Sequence, residues 1–555
     1  MKTLKFLLLI CLLLNINQYV YTQTWLKVGD AFFNDNNSTP IGFVYSLKKI
    51  DDLLYVGGAF YKIGNTIANS IAIWDGNNWD TLNSSLTGAV YDICKFNNEL
   101  FISGGFYAGI PNTACFAKWG GVSWESVGGG LTNVSSINSL VYKNLLYLGG
   151  ATFHIGSLNP NYIASWNGID YSGLSGGLTG WMPKVRAMCV YNDELIVGGE
   201  FSKAGNITTY NIAAWDGANW NDLDSGVSSG IYAFCIDSIN NFLYVAGAFS
   251  WIGIPPGSNS EQFAIWDGFK WHAFGNSYPA MSPMSLAIYN NNIYIGSVSQ
   301  NGLTTDTVFV KYDGVNFTPI LGPNNGIKAL EVYNNELYVG GYFKKVNNDT
   351  MIGIARYHEP PDTVSCTFIQ PLIHAMPFGT KEEADTIYTT APYHIQFYTN
   401  NKYASSWSWD FGDGGTAATR EPEHTYAAPG TYNVTLEVIH PHNLSSQVCT
   451  LNVAKTITII DNTAVKETAK DTVEYLGQNV PNPFNHSTSI PYYVPFGSKG
   501  VLQIHNAAGG LVAEYQLQEG KQALEVSMKD FKARTYFYSI VIDGEKKGSR
   551  KMVLE

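Results

Sequence analysis

From Trp25 to Glu359 the chain is built of short apolar runs separated by Asn, Asp and Gly. This pattern predicts brief, half-buried strands joined by tight turns. The clearest run is an apolar strand that ends in two small residues. It reads Tyr55-Val56-Gly57-Gly58-Ala59-Phe60, Phe101-Ile102-Ser103-Gly104-Gly105-Phe106, Tyr147-Leu148-Gly149-Gly150, Ile196-Val197-Gly198-Gly199-Glu200-Phe201, Tyr244-Val245-Ala246-Gly247-Ala248-Phe249, Tyr294-Ile295-Gly296-Ser297 and Tyr338-Val339-Gly340-Gly341-Tyr342-Phe343. Counted at positions 57, 104, 149, 198, 246, 296 and 340, the intervals are 47, 45, 49, 48, 50 and 44 residues. Seven units of this length predict a repeat architecture.

A second phrase follows the first in six units, two aromatics five residues apart around a tight turn. Trp74-Asp75-Gly76-Asn77-Asn78-Trp79 and Trp215-Asp216-Gly217-Ala218-Asn219-Trp220 are the cleanest copies. Trp119 to Trp124, Trp166 to Tyr171, Trp266 to Trp271 and Tyr312 to Phe317 are variants. Asp-Gly and Asn-Gly tolerate positive φ, so each phrase reads as a hairpin. A further hairpin precedes each small-residue pair, as at Tyr191-Asn192-Asp193-Glu194, which makes four strands per unit. The last unit stops at Ile354-Ala355-Arg356-Tyr357-His358, and an orphan strand, Trp25-Leu26-Lys27-Val28-Gly29, opens the array. If the first strand completes the last unit, the ring closes without an unpaired edge.

By these phrases residues 23–360 resemble the kelch and galactose-oxidase class of repeat propellers, and the count of units predicts seven blades. After Pro360-Pro361 the pattern changes. Trp407-Ser408-Trp409-Asp410-Phe411-Gly412-Asp413-Gly414-Gly415 and His424-Thr425-Tyr426-Ala427-Ala428-Pro429-Gly430-Thr431-Tyr432 resemble the signatures of a polycystic-kidney-disease (PKD) domain. That resemblance implies an immunoglobulin-like sandwich at 361–460, acting as a spacer or auxiliary binding module. Residues 461–474 are polar and charged, as in a linker. From 475 to 555 the segment carries Pro481-Asn482-Pro483-Phe484-Asn485, Tyr536-Phe537-Tyr538 and Arg550-Lys551-Met552-Val553-Leu554. It resembles the C-terminal type A sorting domain of the type IX secretion system of Bacteroidetes, with Arg534-Thr535 where that family usually has glycine. The resemblance implies that the secretion machinery is a partner. The expected fold is all-β: a seven-bladed propeller, a PKD sandwich and a small C-terminal β-sandwich.

The N-terminus reads as a signal peptide over 1–22, with Lys2 and Lys5 before the apolar run Phe6 to Leu14. No segment is long enough for a membrane-spanning helix. With the two leader lysines set aside, 31 basic residues face 45 acidic ones, a net of about −14. That balance argues against a nucleic-acid partner. Of seven cysteines, Cys94, Cys189 and Cys235 hold matching repeat positions, as small core-filling residues do. Cys366 and Cys449 flank the PKD-like module, where a disulfide would staple its first and last strands.

Candidate chemistry is sparse. His154, His272 and His358 fall at unrelated repeat positions, and Arg186 and Arg356 are too few for a sialidase-like arginine cluster. Asp410 and Asp413 are candidates for calcium or for turn-shaping hydrogen bonds. Glu200, Asp193 and Glu194 are candidates for a hydrolytic carboxylate pair. Trp181, Trp251 and Tyr107 are expected in loops, where exposed rings could stack on a sugar or a partner. Asp306-Thr307-Val308, Asp362-Thr363-Val364 and Asp471-Thr472-Val473 fit an O-glycosylation pattern of that phylum. The expectation is a secreted or outer-surface binding and adhesion protein, non-enzymatic and without cofactor. Its propeller would recognise a surface polysaccharide or a protein. The alternatives are a carbohydrate-active enzyme on the same scaffold and a structural matrix protein.

Overall fold

The computed structural model describes residues 24–30, 32–33, 42–82, 86–108, 115–131, 137–151, 160–253, 258–274, 282–298, 308–359, 371–378, 383, 385–389, 391–401, 404–441, 448–461, 476–477, 479, 487–494, 498–506, 510–518, 520–527 and 534–554. Among the described residues all regular structure is β. The chain forms two compact units, 1–460 and 461–555.

The repeats build seven four-stranded antiparallel sheets. The first comprises Phe43–Ile50, Leu53–Ala59, Ile71–Trp74 and Trp79–Asp80. The next five follow the same order, with first strands Thr87–Phe96, Ile137–Tyr142, Lys184–Tyr191, Ile231–Asp237 and Ser282–Tyr289. In the seventh, Ile327–Tyr333, Glu336–Gly341 and Ile354–His358 are completed by Thr24–Leu26 from the other end of the array. The register sets Trp25 opposite Tyr357, and the two rings lie 4.9 Å apart. Each first strand packs on the first strand of the next sheet, and the seventh packs on the first.

Both members of the small-residue pair have a steric cause. A Cβ on Gly57, Gly149, Gly198, Gly296 or Gly340 would come within 2.4–2.8 Å of a side chain on the next sheet's first strand, and for Gly340 that side chain is Val44 of the first sheet. The second member faces its own sheet. A Cβ on Gly58, Gly104, Gly199, Gly247 or Gly341 would lie 1.9–2.2 Å from a carbonyl oxygen of the paired first strand or of the residue just before it. At this close approach six of the seven first strands carry a β-bulge. Register also aligns Ser103, rather than Gly104, with Gly57. The second repeat therefore begins one residue earlier than a count of glycines suggests.

The aromatic phrases are hairpins, with φ near +100° at Gly76, Gly168, Gly217, Gly268 and Gly314. The residue before each glycine adds a cap that the positive-φ reading did not include. Asp75 Oδ1 accepts from the amides of Asn77 and Asn78, and Asp216, Asp267, Asp313 and Asn167 repeat the arrangement. Cys94, Cys189 and Cys235 lie on first strands and pack against apolar clusters. Burial pushes the Cys94 and Cys235 thiols up to about 12.

The PKD segment forms two sheets around Trp409, Phe411, Tyr426, Val434, Leu436 and Val438. Cys449 is buried and disulfide-bonded, while Cys366, its expected partner, lies outside the described residues. This module docks on the fifth sheet by modifying one hairpin turn. Asp75 and Asp216 sit in exposed turns, but Asp267 is fully buried. Its Oδ2 lies 2.6 Å from His272 Nε2 and 3.6 Å from His374 Nε2. His374 Nδ1 lies 2.8 Å from Glu383 Oε2, and Glu383 also pairs with Lys270 and Lys455. Phe269, from the same turn, stacks on His374 at 4.6 Å, and Asn400 Nδ2 donates to the Asn240 carbonyl. Burial works to raise the Asp267 and Glu383 pKa values, but hydrogen bonds and charge from His272, His374 and Lys455 outweigh it and hold both below the carboxylate range.

In the second unit, Ser487–Val494 pairs with Gly520–Ser527. Leu511–Leu517, Gly500–Asn506, Arg534–Ile542 and Glu545–Leu554 form a second sheet over a shared core. Arg534 and Thr535 are paired members of one strand, opposite Leu554 and Val553. Tyr538 is fully buried. Its hydroxyl donates to the Gly477 carbonyl and accepts from the Asn479 amide, while Arg550 Nε donates to the Leu476 carbonyl. Pro481, Asn482, Pro483, Phe484 and Asn485, residues 1–22 and most of the expected linker lie outside the described residues.

Gly199→Ala is expected to lower stability by about 1–3 kcal/mol in urea titrations, since the new methyl would overlap backbone. Gly173→Ala, whose Cβ would meet nothing closer than 3.9 Å, is expected to be near neutral. Because the folded pKa of Glu383 is depressed, its stabilising contribution is complete above the ordinary carboxylate range and is lost as pH falls through and below it. Thermal unfolding of Glu383→Gln at a series of pH values is therefore expected to show a shallower acid-side decline than the parent.

Candidate functional site

The ring of first strands encloses a cavity of about 660 Å3 to which all seven contribute. One position per sheet dominates its mouth. In six sheets it is the bulged residue, Tyr45, Tyr91, Arg186, Tyr232, Met284 and Lys328. The third sheet pairs without a bulge and contributes Asn138. A bulge re-aims a side chain out of the alternating pattern of the strand, which is how the repeat delivers these groups to one opening.

Tyr45 packs edge-on against Tyr91 at 5.2 Å and against Tyr342 at 5.8 Å. Burial, reinforced by Tyr342 and Tyr91, pushes the Tyr45 phenol up to about 12. The Arg186 guanidinium lies 5.0 Å over the Tyr232 ring and 2.7 Å from Glu200 Oε1. Lys184 approaches the same carboxylate at 3.7 Å. Further along the strands, Asp92 Oδ2 accepts from the Ser139 amide at 2.7 Å and hydroxyl at 2.8 Å, and Lys48 lies 3.8 Å from Asp92 Oδ1. Asp92 chiefly, with Glu331, raises the Lys48 pKa. Burial raises the Glu331 carboxyl, partly offset by Lys48. Ser285 Oγ, also in the lining, is buried without a hydrogen-bond partner among the described residues. The wall thus combines aromatic faces, fixed charges and polar atoms, a composition suited to a polar ligand.

Strand direction sorts the residues singled out from sequence. Glu200, Tyr107 and Trp181 lie at the end of the sheets where the first strands begin, beside the mouth. Asp193 and Glu194 lie in and beside the opposite hairpin, with Glu194 and Glu200 at the two ends of one seven-residue strand. At ~3.3 Å per residue that separation is roughly 20 Å, so Glu200 forms no catalytic pair with either. Each instead has a local partner: Asp193 with Lys143, Glu194 with Asn221, Glu200 with Arg186. Trp181 is in a loop and 95% exposed. Tyr107 and Trp251, expected in loops, lie in strands: Tyr107 ends the second strand of the second sheet, opposite Thr87, and Trp251 begins a short outer strand opposite Asn259. Arg356 pairs with Glu336 and does not join Arg186. His272 belongs to the PKD docking cluster, and His358 pairs with Thr24 at the closure. Asp410 accepts from the Gly412 amide; Asp413 accepts from the Gly415 amide and contacts His424 at 2.8 Å. Both carboxylates therefore shape the turn. His154, Asp306, Thr307, Asp362, Thr363, Val364, Asp471, Thr472 and Val473 lie outside the described residues.

The folds and this cavity define an all-β protein with an immunoglobulin-like module. Residues 377–454 match the family model of the PKD domain, so the chain carries a PKD domain. No curated protein matches the chain. Among solved structures it is similar to a carbohydrate-binding module of the β-sandwich superfamily, at 11% identity and TM-score 0.13 over 33% of this chain and 94% of that one. It is also similar to a glycoside hydrolase family 43 arabinoxylan arabinofuranohydrolase from Bacillus subtilis, at 13% identity and TM-score 0.21 over 76% and 94%.

Trp74, Trp124, Trp166, Trp215, Trp220 and Trp266 are buried, so Trp181 is expected to supply a large share of the iodide-quenchable fluorescence of the intact protein. Trp181→Phe should remove that share while leaving the emission of the buried tryptophans unchanged.

Proposed function

We propose that this is a secreted or outer-surface binding protein, in which the seven sheets act as the blades of a β-propeller and the channel mouth recognises a glycan. The observation that carries this reading is the convergence of Tyr45, Tyr91, Tyr232 and Tyr342 with Arg186, Lys328 and Asn138 on one cavity. Sugar rings offer apolar faces for aromatic contact and hydroxyls for fixed polar groups. The PKD domain, held against the fifth blade, serves as a rigid spacer. A leader at 1–22 and a type IX sorting domain at 475–555 would take the protein across both membranes. The Tyr538 and Arg550 hydrogen bonds to the strand-flanking Leu476–Asn479 segment support the integrity of that terminal module.

A second reading is favoured by one observation: Asp92 and Glu331 both line the cavity around Lys48, and burial raises the Glu331 carboxyl. Two carboxyl groups in unlike environments are the requirement for glycoside hydrolysis. Sequence inspection passed over both, because nothing in their local spacing brings a residue of the second sheet beside one of the seventh.

A polysaccharide-binding screen on the full chain, with product analysis for every hit, separates the readings. Saturable binding without turnover, weakened roughly tenfold or more by Tyr91→Ala as for a lost stacking contact, is the expected result. Released oligosaccharides, abolished by Glu331→Gln, would establish the hydrolase instead. Deleting 475–555 is expected to leave the protein inside the outer membrane on cell fractionation; undiminished export would exclude the sorting role.

A further inference from the structure

The charges of the cavity are divided unequally, and the division points to the ligand. At the mouth, Lys184 and Arg186 share one carboxylate, Glu200. Lys328 has no carboxylate within salt-bridge distance among the described residues. Its ammonium lies 3.8 Å from the thioether of Met284, a weak acceptor. Burial lowers its pKa, and the charge that acts on it is the Arg186 guanidinium, which lowers it further. Glu331 is on the same strand but three residues on, ~10 Å away at strand rise, where Lys48 already faces both Glu331 and Asp92. Where the first strands begin, three cations thus stand with a single carboxylate, which pairs with only two of them, while further along the strands one cation, Lys48, faces two carboxylates.

The fourth and seventh sheets, which carry Arg186 and Lys328, are three steps apart around a ring of seven, the largest separation such a ring allows. The two cations therefore face each other across the opening, with Tyr45 and Tyr91 along one arc and Tyr232 and Met284 along the other. A partly buried cation without a counter-charge costs free energy that a bound anion would offset. It stands out further in a chain whose net charge is −12.

Building on the glycan reading, we propose that the mouth selects acidic glycans, with a carboxylate or sulfate substituent held between Lys328 and Arg186 and a sugar face against the Tyr45–Tyr91 pair. The net negative charge of the rest of the chain repels such polymers, so binding is confined to this opening and is expected to weaken with salt.

The test uses the full chain and two probes. The first is oligogalacturonate as the free acid and as its methyl ester, titrated calorimetrically. The second is low-millimolar inorganic sulfate, read as a thermal shift against chloride of equal ionic strength. The free acid is expected to bind about tenfold or more tightly than the ester, as for a charge-assisted hydrogen bond, with the preference lost in Lys328→Met and kept in Lys328→Arg. Equal binding of acid and ester would overturn the anion proposal and leave the glycan reading standing. Binding of neither sugar, with a sulfate shift in the parent that Lys328→Met abolishes, would uphold the anion site and count against the glycan reading. Binding of neither, with parent and Lys328→Met responding equally to sulfate, would overturn both.

Discussion

A backbone carbonyl pressed against a residue without a side chain is the contact on which this protein depends. On Gly58, Gly104, Gly199, Gly247 and Gly341 a Cβ would lie 1.9–2.2 Å from a carbonyl of the neighbouring strand or of the residue just before it, far inside contact distance. Because the glycine is bare, the two strands close up, and in these five sheets the first strand carries an extra residue as a bulge; the third sheet, with Gly150 at this position, pairs without one. That residue leaves the alternation of the sheet and reaches the channel. The preceding small residue, as at Gly57, Gly198 and Gly340, lets the next sheet approach. One pair thus sets both the packing of the ring and the display of its central groups. The sixth sheet has Ser297 at the second position and still bulges, so glycine is not required there for the bulge.

The repeat, its length, its four strands and the pairing of the orphan N-terminal strand with the last unit were legible in the amino-acid order, because each depends on local turn chemistry and apolar periodicity. The centre of the ring was less legible. Tyr45, Tyr91, Arg186, Tyr232, Met284 and Lys328 share a structural position but almost no chemistry, so no sequence phrase marks them. The signal was nonetheless present: five of them stand thirteen residues before the second small residue of their unit and Tyr232 stands fifteen before, a spacing that becomes informative once the bulge is known. Trp251 begins a two-residue strand too short to show periodicity, and Tyr107 is the last residue of a nine-residue strand, past the small-residue pair where the apolar pattern ends. Asp193 and Glu194 looked close to Glu200 only in sequence; a strand separates what adjacency joins.

The PKD module illustrates how a repeat acquires a specific partner without a new element. The aspartate that caps three other turns, with Asn167 in its place in a fourth, keeps that role in the fifth sheet, with Oδ1 on the Phe269 and Lys270 amides. Its second oxygen, which faces solvent or Asn in the exposed turns, instead meets His272 and His374. Phe269 and Lys270, at variable positions of the same turn, supply the ring and the cation that complete the contact.

A ring of near-equivalent units has no inherent starting point, and its turns would otherwise offer one partner many equivalent berths. Burying Asp267 beneath His374 and Glu383 turns one of those berths into a fixed address. The angular position of every other group around the ring is thereby referenced to the PKD module, as the hours on a dial are referenced to one mark. Duplication or loss of a unit between that mark and the channel-facing cations would rotate the display relative to its mount while leaving the ring's own packing rules intact.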